Sequence, residues 1–377
     1  MWYAYSVFLV ALLREFGWSR SVLAGAFSVF TLVHGGMSAP LGWLVSRLGP
    51  RRLVLAGSVL LGCGLVLNAA VDRPWQLYLT FGVVTALGAA CAGWVPAVML
   101  VQRWYPQRFG TALGIVGAGI GLGIAVVVPA CQSLIDLVGW RWTYRLVAVV
   151  VVAWIVPATL WIVRERPPVR AGDRAASPPR DGRDLTLADV VHGRGFWLLA
   201  AMLLLMSLAN QMLLVHQVAY LVDAGIPTLV AASVVGVIGL ASIVGKMGGG
   251  FAGDIIGRRP AYTIGAACVM ASMGVLALVA VWPRPGLAYV YGLLIGIGYA
   301  APSALSPAII SDVFRTRHFG TIFGALQIAG ALGAAVGPWA AGRVFDATGS
   351  YAPAFALAIV AAAAAVTAVW LASPARR

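Results

Sequence analysis

The chain has 377 residues, of which 61% are hydrophobic and only 10% charged, with a mean hydropathy of +0.92. These proportions exclude a soluble globular domain and describe a polytopic membrane protein. The net charge of +14 would suit a nucleic-acid binder, but the basic residues are spread between apolar segments instead of forming one patch, so no nucleic-acid partner is expected.

Divided at charges, prolines and glycines, the sequence gives apolar stretches at 1–13, 21–45, 53–71, 75–101, 109–135, 143–163, 196–222, 226–250, 260–282, 286–311, 319–342 and 353–372. Twelve helices are expected, all but the first near or above the roughly 20 residues that cross about 30 Å of hydrocarbon. The first rises only about 20 Å. Met1 opens directly into that apolar run with no basic leader or cleavage site, so no cleavable signal peptide is expected. Cys63, Cys91, Cys131 and Cys268 are scattered singly, without ligand spacing, and read as packing residues; no metal or cofactor is expected.

Between the sixth and seventh stretches, Glu165 to Gly195 is hydrophilic and carries Pro167, Pro168, Pro178 and Pro179 among arginines and aspartates. It reads as a flexible linker joining two six-helix bundles, 1–164 and 196–377. With the N-terminus placed in the cytoplasm, 18 arginines fall in inside loops and 7 outside. That bias puts both termini in the cytoplasm of a multi-pass protein of the inner or plasma membrane.

The halves repeat. At an offset of 208, Gly42, Gly49 and Arg51 fall on Gly250, Gly257 and Arg259, and Gly17 falls on Gly225. At 210, Phe109-Gly-Thr111 falls on Phe319-Gly-Thr321, and Asp136 and Gly139 on Asp346 and Gly349. Parallel repeats that hold substrate at their interface are a transporter architecture. The same offset leaves roughly 12 residues of the seventh helix without a counterpart before Met1, so helix 1 reads as truncated. Glycines of the fifth stretch (Gly114 to Gly123, before Pro129) and the eleventh (Gly324 to Gly337, before Pro338) mark close helix packing in both halves.

Lys246 is the only lysine of the chain and lies inside the eighth stretch. An intramembrane charge costs at least about 2.5 kcal/mol and points to function, so Lys246 is the first candidate for substrate binding, snorkelling along its own stem being the alternative. No Asp or Glu lies deep in any stretch, which leaves His34 and His216 as candidates for a proton or a substrate carboxylate, or as structural hydrogen bonders. Asn210, Gln211 and Gln217 around His216 suggest a wet face on helix 7, or interhelical glue. Tyr299, Tyr220 and Trp94 could wall a pocket or simply pack.

A glycine followed four residues later by an acid, then by Gly and paired basic residues, resembles the loop signature of the major facilitator superfamily. Gly250, Asp254, Gly257, Arg258 and Arg259 fit it fully; the first copy has Gly42, Arg47, Gly49, Arg51 and Arg52, with Ser46 where the acid is expected. The resemblance implies an all-α twelve-helix fold of two pseudo-symmetric bundles, with Arg47, Arg51, Asp254, Arg258 and Arg259 forming a conformational latch whose first half is weakened. Within the superfamily the chain resembles the monocarboxylate transporter and oxalate/formate antiporter group, on Glu15-Phe-Gly-Trp-Ser-Arg20, Phe109-Gly-Thr-Ala-Leu-Gly114, His216 with Tyr220, and Lys246 eight residues before Asp254. That resemblance implies a monomeric secondary carrier of a small organic anion, with a proton or counter-anion as possible co-substrate and Lys246 pairing with the carboxylate. Two departures bear on coupling and substrate: Ser242 stands where the monocarboxylate pattern has an aspartate, and Leu326 to Gly330 lacks the antiporter lysine. An enzyme is not expected, since no convergent catalytic set lies at membrane depth. Drug or amphipath efflux, or a non-transporting sensor on the same fold, are the alternatives.

Overall fold

The computed structural model describes residues 2–104, 109–161, 185–314, 316 and 319–372. All twelve apolar stretches are helical there, and no strand occurs among the described residues. The first half contains α1 (Tyr5–Phe16), α2 (Arg20–Gly36), α3 (Ser38–Leu48), α4 (Pro50–Asn68), α5 (Pro74–Leu77), a π-helical stretch (Tyr78–Thr85), α6 (Ala86–Ala92), α7 (Trp94–Trp104) and α8 (Phe109–Trp161). The second contains α9 (Leu187–Val191), α10 (Arg194–Asp223), α11 (Thr228–Ile255), α12 (Arg258–Val281), α13 (Pro285–Val313), α14 (Phe319–Thr348) and α15 (Ala352–Leu371).

Where one apolar stretch becomes several helices, the backbone supplies the reason. Pro40 has no N–H to offer the carbonyl of Gly36, and the ladder breaks there between α2 and α3. The fourth stretch runs through α5, the π turns, α6 and α7, and changes direction at Gly93. Conversely, α8 is 53 residues long, about 80 Å of rise and far more than one crossing. Gly139, at φ 80° and ψ 161°, divides it into the two crossings the sequence predicts. The end of the hydrophilic stretch is also structured: Thr186 and Asp189 form a capping box on α9, and Thr316 Oγ1 donates to the Leu185 carbonyl at 2.9 Å.

The repeat is written into the backbone. The described residues with positive φ are six glycines, and they form three pairs: Gly17 with Gly225 and Gly49 with Gly257 at an offset of 208, Gly139 with Gly349 at 210. Each ends or begins a helix in a conformation that costs a side-chain-bearing residue about 1–2 kcal/mol. The two halves therefore turn corners at equivalent places.

They meet along two seams. On one, α2 lies against α14; on the other, α8 lies against α11, while α1 touches α10. The second seam is tight because it is made by glycine: a Cβ on Gly239 would lie 2.5 Å from the Gly121 carbonyl oxygen, and one on Gly121 would lie 2.6 Å from Ile243. The first seam runs from Arg20 and Gly342 through Ser28, whose Oγ donates to the Ala335 carbonyl at 2.5 Å, to Gly35 beside Ala331. Beyond that point α3 packs on α2, α4, α6 and α7 of its own half. Close contact thus occupies the end of the bundle that bears Arg20 and fades toward the opposite, linker end.

Candidate functional site

Lys246 sits within α11, half-buried, and its ammonium makes no hydrogen bond or ion pair with any described residue. Its direction follows from the helix. Gly245 and Gly249 press α11 against α13, where Cβ atoms would come within 2.7 Å of Ile297 O and Ala301 Cβ, while Gly239 and Ile243 face α8. At about 100° per residue Lys246 falls between those two edges. Val244, Met247 and Phe251, at 61%, 73% and 69% exposure, mark the lipid face on the other side of the helix. The lysine therefore points inward, into the gap between α8 and α13.

Tyr299 of α13 faces the opposite half, where its hydroxyl accepts from Tyr3 at 3.4 Å. It also lines a cavity of about 160 Å³ shared with Asn210 and Ser207 of α10, Ser303 and Ser306 of α13, and Gln327 of α14. Asn210 Oδ1 is buried without a hydrogen-bond partner, and so is the neighbouring Gln211 Oε1. An unmet acceptor in a polar cavity is a place for a donor on a ligand or a water. His34 lies on α2 in the first half, half-buried, with its ring edge-on to Trp2 at 5.3 Å and stacked on Phe30 at 5.9 Å.

Three of the polar residues of helix 7 do something else. His216 is buried, and both ring nitrogens are engaged. Nε2 lies 2.8 Å from the Pro338 carbonyl, which can only accept, so Nε2 carries hydrogen; Nδ1 then accepts from the Tyr351 hydroxyl at 2.9 Å. In this conformation both nitrogens of His216 are taken, as in the structural hydrogen-bonding role the sequence also allows, and the residue clamps α10 to α14 and α15. Gln217 is likewise spent inside the second half, accepting from Tyr291 at 2.8 Å. Tyr220 donates to the Leu276 carbonyl. The wet face of helix 7 narrows to Asn210 and Gln211.

The His216 clamp leads to the closed end. Tyr351 accepts from Arg20 Nη1 at 2.8 Å, and Arg20 Nη2 pairs with Asp223 at 2.5 Å, while the guanidinium lies 3.9 Å from the Phe345 ring centroid. Asp346 completes the contact: its two carboxylate oxygens accept from the backbone N–H groups of Arg20 and Ser21, each at 3.0 Å, capping α2 from the other half. The sequence places Arg20 in the Glu15–Arg20 motif, but nothing local shows that its partners lie 203 and 331 residues away.

Repeat symmetry explains why this arginine crosses over. In the first half Glu15 is held by Arg141 and by Trp140 Nε1, and Arg141 also reaches Asp72 at 2.9 Å. Glu15 lies past the apolar run; partial burial raises its carboxyl, but the hydrogen bonds from Arg141 and Trp140 outweigh this and hold it below the usual carboxylate range. The mate of Glu15 at 208 is Asp223, and the mate of Arg141 at 210 is Tyr351. The second half thus has the carboxylate without the arginine, and Arg20 supplies it.

At the linker end Asp254 and the arginine pair of its own loop do not meet. Asp254 is exposed and pairs with no described residue. The paired arginines turn within their own halves: Arg51 Nη2 donates to the Leu160 carbonyl, Arg258 Nη1 to Asp312 at 2.6 Å and to the Ala308 carbonyl, and Arg259 Nη2 to the Ala372 carbonyl. Asp312, one of several acids at helix ends, is the one that holds Arg258. Arg47 is exposed at the end of α3. Helix-5 residues 109–114 are helical in backbone, and Arg108, Arg315, Arg317 and most of the residues 165–195 lie outside the described residues.

The profile of the Major Facilitator Superfamily matches residues 1–338 and 249–377. The chain is 28% identical over 357 residues to monocarboxylate transporter 4 of Mus musculus, covering 94% of this chain and 76% of that one, and 27% identical over 361 residues to monocarboxylate transporter 3 of Rattus norvegicus, covering 94% and 72%. It is also 27% identical over 300 residues to the fujikurins efflux protein of Gibberella fujikuroi, covering 78% and 60%. Among solved structures it superposes on the nucleoside transporter NupG with a TM-score of 0.79 at 11% identity, over 98% and 95% of the two chains. A bacterial homologue of the human lysosomal transporter Spinster gives 0.69 at 17%, over 98% and 92%.

Proposed function

This chain belongs to the Major Facilitator Superfamily, and we propose that it moves a small, monocarboxylate-like organic anion across the membrane by alternating access. One observation supports this above the others: Lys246 is an inward-pointing cation at mid-helix depth with no protein partner among the described residues. A substrate carboxylate is the counter-charge that such an ammonium lacks. The similarity to monocarboxylate transporters points the same way.

In this scheme the halves 1–164 and 196–377 rock about the two seams, and the conformation with Arg20 locked to Asp223 is the one closed at the outer face. The arginine distribution supports that orientation, with both termini in the cytoplasm. Substrate enters from the linker end, pairs with Lys246, and sets its remaining polar groups against Asn210, Gln211 and Tyr299. Closing the linker end then brings Asp254 and the arginine pairs toward each other while the Arg20 contacts part. His34, free of hydrogen-bond partners among the described residues, is the side chain suited to carry a coupled proton.

Uptake of labelled short-chain monocarboxylates into proteoliposomes tests the proposal. Losing one charge-assisted hydrogen bond costs roughly 1.5–3 kcal/mol, so Lys246→Ala should lose about 10- to 150-fold in flux, with Lys246→Arg retaining part. Unimpaired flux in Lys246→Ala would remove the lysine from the site. Efflux of an amphipathic compound is the second reading, favoured by the similarity to an efflux protein and by the Trp2, Phe27 and Phe30 cluster beside His34. A carrier of that kind would transport in the lysine variant.

A further inference from the structure

At the linker end, α12, α13 and α15 leave between their tips a crevice of about 520 Å³. Arg258, Arg259, Asp312 and Trp370 line it together with the apolar Pro260 and Val313. Trp370 is 49% exposed, and its Nε1 donates to Thr263 Oγ1, an indole fixed at a helix end as in the aromatic belts of membrane interfaces. Leu371 and Ile264 beside it are exposed, so the crevice opens sideways toward lipid.

The charges in the crevice are only partly consumed. Asp312 and the Ala308 carbonyl take Nη1 of Arg258, and the Ala372 carbonyl takes Nη2 of Arg259. Nε and Nη2 of Arg258, and Nε and Nη1 of Arg259, have no acceptor among the described residues. Two arginines against one carboxylate leave a net positive lining. Guanidinium forks match the oxygens of a phosphate, and basic pockets between membrane helices at the headgroup level are suited to anionic lipid. We propose that this crevice holds the headgroup phosphate of an anionic phospholipid from the leaflet at the linker end, its acyl chains lying along Trp370 and Leu371. Because Arg258 and Arg259 are also the basic pair of the loop after α11, a lipid seated there would hold both arginines in the turned-aside arrangement seen here.

The test is native mass spectrometry of the full chain in detergent, titrated in turn with phosphatidylglycerol, phosphatidylcholine and inorganic phosphate. Phosphatidylglycerol should be retained in preference to phosphatidylcholine, with its apparent Kd weakened at least tenfold in Arg259→Ala and partly restored in Arg259→Lys. Asp312→Asn, which frees an Arg258 donor, should tighten it. Equal retention of the two lipids, an Arg259→Ala variant that binds as wild type, or an Asp312→Asn variant with unchanged or weaker retention would overturn the proposal. Saturation by inorganic phosphate alone would assign the site to a free ion and overturn the lipid.

Discussion

Replacing Arg20 by alanine should open the closed end of the bundle, and the structure sets the size of the effect. Arg20 is 12% exposed at its side chain but Asp223 is 44%, so solvent screening limits that ion pair to about 1 kcal/mol. The hydrogen bond to Tyr351 adds roughly 1.5 kcal/mol, since its donor is charged. The stack on Phe345 adds about 0.5–1 kcal/mol. The backbone bonds to Asp346 survive the substitution. About 3 kcal/mol in favour of the closed end is therefore lost, a shift of roughly 100-fold in the ratio of closed to open forms. Double electron–electron resonance can read it from spin labels at Arg73→Cys and Pro283→Cys, exposed loop positions of the two halves, in a background without the four native cysteines. Arg20→Ala should move population to longer distances, and Arg20→Lys, which keeps charge but loses the fork, should fall between. A distance distribution unchanged by Arg20→Ala would refute the assignment of this cluster as the gate.

Three other outcomes follow from particular contacts. Gly239→Leu must displace the Gly121 carbonyl; overpacking of this kind costs about 1–3 kcal/mol, and differential scanning calorimetry should show a lowered Tm together with slowed flux, whereas Gly248→Leu, which meets open space, should do neither. Gly257→Ala, at φ 93°, should lower stability by about 1–2 kcal/mol, while Gly250→Ala in an ordinary helical position should be neutral or slightly stabilising. Because the folded protein holds the Glu15 carboxyl below its ordinary value, its contribution is complete above roughly pH 4.3 and disappears as pH falls through the lower, folded value. The Tm of wild type should therefore drop more steeply on acidification through that window than the Tm of Glu15→Gln, and parallel curves would count against the Arg141 and Trp140 bonds.

The twelve stretches and the repeat were legible because membrane burial is a property of composition over 20-residue windows and because corner glycines leave a fixed mark on the chain. Lys246 was legible for the same reason: one charge stands out against an apolar run. What could not be read is pairing at a distance. His216 looks the same in sequence whether it faces a cavity or, as found, spans Pro338 and Tyr351. The partner of Arg258 is Asp312 rather than Asp254, though both acids lie at helix ends, because the choice depends on how α12 packs on α13. The break after Gly36 was signalled locally by Pro40; the π turns of Tyr78–Thr85 were not, since nothing in that apolar run distinguishes them from α-helix.

In the proposed alternating-access scheme, the exchange of an arginine for Tyr351 between the repeats would give the opened mouth a polarity of its own. When the Arg20 end parts, the guanidinium and the freed N-terminus of α2 leave on one wall, while Asp223 and Asp346 remain on the other. The first half keeps Glu15 matched to Arg141, while the second offers the carboxylates of Asp223 and Asp346 beside the exposed Arg343 of α14. In that scheme an anion at the entrance would meet the Arg20 guanidinium and the N-terminus of α2 on one wall and the two carboxylates with Arg343 on the other. A duplicated unit with identical residues on both sides would lack this arrangement, so one unmatched pair of repeat positions makes the contact that joins the two halves here and, in the proposed cycle, would make their walls unlike when they part.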